Sequence, residues 1–516
     1  MQRAVSVASG SVQARFFRCS AITALLAAVG LSVSLFGAAA SAIDVAPAAL
    51  AAPAAFGPEA VIAEPSGGFS GSLRLTPDHG PAGTQVAASI EGLRPGQTFD
   101  LVWRTAKGRW KAENGSYNGR AFQPVAYRIA RLAADANGAA RAKFVVPEDF
   151  GFGHDVVVQD GKRLLTQANF NIDMEMKISP KSGPLGTPIE VTIRGIGWKY
   201  LENSWMLFYD NKPTGWVSSV TTGGTARFTI PATGHEGRHI LELLHGSFTF
   251  AYRNMQQSPS PDRPVFQIPF TITPGAAVLP PPPEQQAQTS VRGLPARGTL
   301  AAQRAFSTVG EPLTLSASGL APGKEYKLQW STVTGNRISG AGWESKARTI
   351  AMAKADPSGT AAFSFVTPDD LGGSHGLMLE HGGRKLEGTH WIAPSAKPLD
   401  RSSGPAGTKF TIRLKGVGWT ETANIYAVVY DNAYIGYACG FNSQGDVQIF
   451  LHATGAPGWH FVDLYPAIYK GKERTPQNFR LPQLTYARDH PGEDLPRFRF
   501  AFKVVEDEKR AERAPR

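Results

Sequence analysis

Residues 182–198 read SGPLGTPIEVTIRGIGW, and residues 403–419 read SGPAGTKFTIRLKGVGW. In the first, Thr187 to Arg194 alternates, with Ile189, Val191 and Ile193 on one side. In the second, Phe410, Ile412 and Leu414 fall in the same rhythm. A strict period of two means a β-strand with one buried face. The pair also shows that the chain repeats itself, and a repeat governs the reading of everything around it.

The register continues at an offset of 221 residues without a gap. Asn203 matches Asn424, and Tyr209-Asp210-Asn211 matches Tyr430-Asp431-Asn432. Ala232-Thr233-Gly234, Gly237 and His239 match Ala453-Thr454-Gly455, Gly458 and His460. The preceding segments repeat too. Trp103 and Thr105 match Trp330 and Thr332 at offset 227, while Phe144, Asp149, Gly151 and His154 match Phe365, Asp370, Gly372 and His375 at 221. The chain is therefore a duplicated pair, A-B-A-B.

Turn signals recur at the spacing of a sandwich: Pro95-Gly96, Asn137-Gly138, Gly223-Gly224, Ser358-Gly359, Gln444-Gly445. With Gly 55 and Pro 38 in 516 residues, and no convincing helical stripe after the N-terminal segment, the fold class is all-β. The expected organisation is sandwich A1 over 71–173, B1 over 174–273, A2 over 298–394 and B2 over 395–506. Residues 43–70 read as an Ala/Pro-rich linker without a strand pattern, and 507–516 as a charged tail. Residues 274–297, with Pro280 to Pro283, read as an extended semi-rigid spacer holding the two pairs apart, whereas A and B within a pair should touch.

The segment Pro180 to Thr187, then a strand, then Gly195-Ile196-Gly197-Trp198, resembles the opening of bacterial immunoglobulin-like domains of the IPT/TIG kind. Leu75 to Thr84 (LTPDHGPAGT), followed by Gly92-Leu93-Arg94-Pro95-Gly96, resembles the similar opening of secreted bacterial sandwich repeats. The resemblance covers about a third of each unit and implies four tandem Ig-like modules with binding or spacing roles. The B units depart from it through Tyr-Asp-Asn and a long C-terminal half.

Residues 1–42 read as a secretory signal: Arg3, Arg15 and Arg18, then an apolar run from Ala21 to Ala38, then Ala40-Ser41-Ala42. Cys19 precedes the run, so it is not a lipoprotein cysteine. Cleavage leaves Cys439 as the one cysteine and lowers the formal charge from +11 to +8. The mature domains must then be held by their cores alone. Cys439 reads as a core residue, on one strand face with Tyr437 and Phe441.

His235-Glu236-Gly237-Arg238-His239 has the spacing of a zinc protease motif, which needs a helix to bring both histidines to one face. Gly234 and Gly237 break any helix here, and the second copy keeps only the last histidine, as His460, with Pro457 in the glutamate's place. The segment reads as a turn entering a strand. His239 and His460 read as strand-entry histidines bonded to nearby backbone, the Asp-Asn pairs as hairpin turns, and Trp198 and Trp419 as packed, with sugar stacking the alternative. No catalytic residues, metal ligands or cofactor are expected, and the dispersed Lys/Arg do not form a nucleic-acid stripe.

One asymmetry points to a site. From His239 to Tyr252 is 13 residues, and from His460 to Tyr486 is 26, so B2 carries an insertion of about 13. It holds Tyr469, Lys470, Lys472, Arg474 and Arg480, opposed only by Glu473. These five are the expected binding residues, and an anionic or polar envelope component the expected partner. The expected protein is an exported, non-catalytic binding or scaffold protein, periplasmic or secreted and without a membrane span in the mature chain. The alternative is a polymer-binding accessory to an extracellular enzyme; a hydrolase on a sandwich scaffold is less favoured.

Overall fold

The strand expected from alternation runs Pro188–Arg194, and Ile189, Val191 and Ile193 are fully enclosed. Its counterpart, Lys409–Lys415, buries Phe410, Ile412 and Leu414 in the same way. Around these two strands the computed structural model describes residues 52–65, 67–113, 115–246, 251–288, 300–302, 304–336, 342–469 and 480–507. The signal segment 1–42 and Lys470, Lys472 and Arg474 lie outside the described residues.

The fold is all-β. Each of the four units pairs a three-stranded antiparallel sheet with a larger sheet of five strands, six in A1. In B1 the small sheet orders Glu175–Ser179, Pro188–Arg194 and Ala226–Pro231. The large sheet orders Ser182–Gly183, Phe266–Ile272, Gly237–His245, Trp205–Tyr209 and Lys212–Val217. Its first, two-residue strand runs parallel to Phe266–Ile272, and the other pairs are antiparallel. Inward residues of both sheets form one core per unit, with Trp205, Leu207, Leu241 and Phe270 facing Ile189 and Val191 in B1.

The stretch expected as a strandless linker is built onto A1. Glu64–Pro65 adds a parallel edge strand beside Arg163–Leu164, Ala63 is fully buried, and Gln159 Nε2 donates to Val61 O at 3.0 Å. Proline is tolerated there because an edge strand needs donors on one side only.

A and B touch within each pair through the same joint. Gly151 N donates to Ile196 O at 3.1 Å, and Gly372 N to Val417 O at 3.1 Å. Gly151 has no room for a side chain, since a Cβ would stand 1.6 Å from Gly195 O.

The polyproline segment does not hold the two pairs apart. Val278 N donates to Leu185 O at 2.8 Å, and Pro283–Gln288 is a short helix rather than extended chain. Gln286 Nε2 donates to Arg499 O at 2.8 Å, while Gln286 Oε1 accepts from Arg499 N at 2.6 Å, so the segment is fastened to the last strand of B2. B1 and B2 then meet directly. Thr214 Oγ1 donates to Asn432 O at 2.8 Å, and Asn432 Nδ2 donates to Pro231 O at 2.8 Å. The core of B1 runs on into Val429, Tyr465 and Leu484 of B2.

The hairpin of Thr98–Glu113 and Ser116–Ala133 in A1 crosses B1 and reaches B2. Glu421 N donates to Gly115 O at 2.7 Å, and Tyr117 N donates to Glu421 Oε2 at 2.8 Å. Tyr117, Met206, Phe208, Trp216, Ile468 and Leu481, drawn from three units, form a separate buried cluster. The described residues thus belong to one compact unit. Among them, no helix is long and apolar enough to cross a membrane.

Cys439 is only half-buried, which corrects the expectation of a core thiol. It ends the edge strand Ala433–Cys439, where Tyr437 is 43% exposed, and Phe441 belongs to a following 3₁₀ turn instead of the strand. An edge strand at the margin of its sheet is covered on one face only in part.

Candidate binding site

The B2 insertion leaves its sheet after Gly458–Ala467 and returns at Phe498–Val505. Strand register measures it. His239 pairs with Phe270, 31 residues on, and His460 pairs with Phe502, 42 residues on. The B2 connection is thus eleven residues longer than that of B1, not about 13, and Tyr486, which is 2% exposed, is not the counterpart of Tyr252, which is 39% exposed.

The two ends of the insertion are brought together. Arg480 N donates to Ile468 O at 2.6 Å, and Tyr469 N donates to Glu421 O at 2.8 Å. The Arg480 guanidinium lies over two rings, 5.4 Å from the centre of Tyr469 and 5.2 Å from that of Tyr437. Tyr469 is steadied by an edge contact with Phe441 at 5.3 Å. Of the five expected residues, the structure therefore places Tyr469 and Arg480 side by side at the neck of the loop.

The segment that follows, residues 481–489, is a seam. Trp216 N donates to Pro482 O at 2.9 Å, and Leu484 N donates to Trp216 O at 3.0 Å, extending the edge of the B1 sheet. Gly215 permits this, since a Cβ there would stand 2.6 Å from Pro482 O. Asp489 is 1% exposed and accepts from Val220 N at 2.8 Å and from Thr221 N at 2.9 Å. A groove of about 560 Å³ beside the seam is lined by Arg227, Arg488, Arg497 and Arg499. Two of these are committed to structure: Arg497 Nη1 donates to Thr229 O at 2.6 Å, and Arg499 Nε to Asp463 Oδ1 at 2.7 Å.

The repeated histidines are tethered. His239 Nδ1 lies 2.6 Å from Asp210 Oδ2 and its Nε2 lies 2.7 Å from His235 O. His460 repeats this with Asp431 Oδ2 at 2.5 Å and Ala456 O at 2.9 Å. The hydrogen bond to Asp431 raises the His460 pKa against the opposing effect of burial. The H-E-x-x-H segment is a bend running into the strand Gly237–His245, not a helix. Asp210 and Asn211 sit at φ 50° and 64°, and Asp431 and Asn432 at 46° and 59°, which is a left-handed hairpin turn.

Chain repetition marked a buried cluster in each A unit whose chemistry sequence reasoning did not assign. Trp103 Nε1 donates to Asp149 Oδ2 at 2.8 Å, and the Trp103 ring stacks on His154 at 4.6 Å. Trp330, Asp370 and His375 repeat the arrangement at 3.0 and 4.4 Å. In each case both histidine nitrogens face backbone carbonyls. Trp198 packs on this cluster, 4.9 Å from His154, and Trp419 packs 5.5 Å from Trp343, so both belong to the A–B joints.

No protein-family model matches the chain, and no curated protein matches it. Solved structures do show a likeness. The ICAM-5 D1–D4 ectodomain fragment is 13% identical over 84% of this chain and 100% of its own, at a TM-score of 0.17. A Bacteroides ovatus glucan-utilisation protein, SGBP-B, in complex with a mixed-linkage heptasaccharide, is 10% identical over 63% and 66%, at 0.17. A putative membrane anchored protein from Corynebacterium diphtheriae is 12% identical over 85% and 92%, at 0.16. At these TM-scores the likenesses carry no argument, and the sandwich architecture rests on the sheets themselves.

Proposed function

We propose that this chain is an exported, non-catalytic binding protein. In this reading its IPT/TIG-like B units hold it to an anionic component of the cell envelope through the B2 insertion. The observation that carries it is the Arg480 guanidinium over Tyr469 and Tyr437 at the neck of a loop that B1 lacks. Guanidinium groups recognise carboxylate and phosphate by paired, charge-assisted hydrogen bonds, and an aromatic ring beneath the guanidinium fixes its plane. Lys470, Lys472 and Arg474 follow directly in the loop and add to the positive charge. A non-catalytic role is supported by the repeated histidines, whose ring nitrogens are engaged by carboxylates and backbone carbonyls.

The test is capture of the mature protein by isolated cell envelopes at low and high salt. One variant changes Lys470, Lys472 and Arg474 to Ser, and a second adds Arg480→Ser. Wild type is captured at low salt and released as salt screens the contacts. Both variants lose capture, the second more completely. Capture equal to wild type at both salts overturns the reading. Export is tested separately by intact mass, with a mature N-terminus expected near Ile43.

A further inference from the structure

Phe306–Ser307 in A2 runs parallel to the strand Arg384–Ile392, which pairs Phe306 with Trp391 and Ser307 with Ile392. A1 builds the same bridge with different residues: His79 pairs with Asn171, and Gly80 with Ile172. There His79 is exposed and its Nδ1 lies 3.0 Å from Asp173. Strand pairing therefore does not demand aromatic residues at these two positions. In A2 both are half-buried and both line a cleft of about 1000 Å³ where A2, B2, the A1 hairpin tip and B1 meet. That is the upper end of the range for ligand sites. An aromatic pair serving only to pack A2 on B2 would fill this space.

The part of the lining that comes from B2 carries polar side chains: Thr420, Thr422, His490 and Glu493. Oε2 of Glu493 and Nδ1 of His490 are enclosed, and neither has a hydrogen-bond partner among the described residues. Enclosed polar atoms without partners are rare in native proteins and call for an explanation. Arg488 and Asp494 at the margin offset each other, and burial pushes the Glu493 pKa up to about 7, so the wall is close to neutral overall. A cleft lined by two aromatic rings together with hydroxyls and a carboxyl suits the C–H face and the hydroxyl rim of a sugar ring.

We propose that this cleft binds an uncharged, hydroxyl-rich oligosaccharide, stacked on Phe306 and Trp391 and hydrogen-bonded by Thr420, Thr422, His490 and Glu493. The site is separate from the loop that meets an anionic partner, and neither requires the other.

The test titrates the mature full-length protein with cellohexaose, chitohexaose, mannohexaose and arabinohexaose, followed by calorimetry and tryptophan fluorescence. At least one probe should bind at millimolar concentration or below, with little change between about 0.05 and about 0.5 M salt, since no net charge is paired. The variant Phe306→His with Trp391→Asn installs the pair that A1 carries and, by removing both rings, should weaken binding about tenfold or more. The variant Thr422→Val with His490→Ala removes two of the proposed hydrogen-bonding groups and should weaken binding severalfold, which keeps the site testable if the first variant does not fold. Binding by the envelope-loop variants should be unchanged. The proposal is overturned if no probe binds wild type, or if the cleft variants bind as wild type does.

Discussion

Trp110 Nε1 donates a hydrogen bond to Asp489 Oδ1 at 2.9 Å, joining residues 379 apart in the chain. The donor sits on the A1 hairpin and the acceptor in the segment by which B2 differs from B1. The same carboxylate accepts from Val220 N, Thr221 N and Thr221 Oγ1, so three sandwiches converge on one buried acid. Asp489→Ala should cost roughly 3 kcal/mol or more, because four donors lose their acceptor in an enclosed site. Asp489→Asn keeps one oxygen and should cost about half as much. Thermal unfolding would show the effect: a single transition in wild type should split as the hairpin and seam release before the sandwich cores. Unchanged melting in Asp489→Ala would mean that this carboxylate does not join the units.

The sandwiches themselves were legible because alternation fixes a buried face, as at Ile189, Val191 and Ile193. The association of the two pairs was also written in the chain, in a signal left unread. Trp205–Tyr209 and Ile425–Tyr430 are continuous apolar runs, not alternating ones, and Trp205–Tyr209 is buried at every residue. A strand that is apolar on both sides needs cover on both sides. In B1 the second cover is the A1 hairpin with Ile468 and Leu481 of B2. Tyr469 and Arg480 were legible as an asymmetry between copies, but the adjacent residues 481–489 were not separable from them by composition. The polar contacts of Thr485 and Asp489 in the seam are long-range pairings that no local pattern encodes. The Phe306–Trp391 platform was hidden because the equivalence with His79 and Asn171 follows from strand register, not from sequence matching.

Acid should weaken the fold through His390. It is buried, its Nε2 lies 2.6 Å from Ser307 Oγ, and burial, with help from the charge of His375, lowers its pKa to about 4 against the raising effects of a backbone hydrogen bond at Arg304 and of Glu311. The folded state thus favours the neutral ring, so this contribution is complete above the unfolded pKa near 6.5 and is lost as pH falls from there towards 4. The loss is on the order of 3 kcal/mol. His390→Phe with Ser307→Gly installs the residues that A1 pairs at the same register, Phe170 and Gly80, and should flatten the dependence. Urea unfolding at a series of pH values would show it; an unchanged slope in the variant would place the acid sensitivity elsewhere, with His245 next, since burial lowers it to about 4 as well.

Glu493 works in the opposite direction. Burial raises its pKa to about 7, so the folded protein favours the protonated carboxyl. Stability from this group is full below the unfolded pKa near 4.5 and declines as pH rises through about 7. Glu493→Gln holds the neutral form at every pH. It should stabilise the protein by about 2–3 kcal/mol at pH ~8 and by nothing at pH ~4. If wild type and variant run parallel across that range, Glu493 is ionised in the fold at ordinary cost.

The two Asp-Asn turns give an internal control for the B1–B2 seam. Asn211 and Asn432 occupy the same place in the repeat and the same left-handed backbone, at φ 64° and 59°. Asn211 is exposed, whereas Asn432 is 1% exposed and donates through Nδ2 to Pro231 O at 2.8 Å and to Thr233 Oγ1 at 3.0 Å. Replacing either by Ala costs about 1 kcal/mol for the backbone conformation alone. At 432 two further hydrogen bonds are lost and a buried carbonyl is left without its donor, so Asn432→Ala should cost about 3 kcal/mol against about 1 for Asn211→Ala. Glycine removes the backbone part: Asn211→Gly should be close to neutral, and Asn432→Gly should still cost about 2 kcal/mol. Denaturant midpoints of the four variants decide it. Equal losses at the two positions would mean that Asn432 serves only its own hairpin, and that B1 and B2 do not hold each other through it.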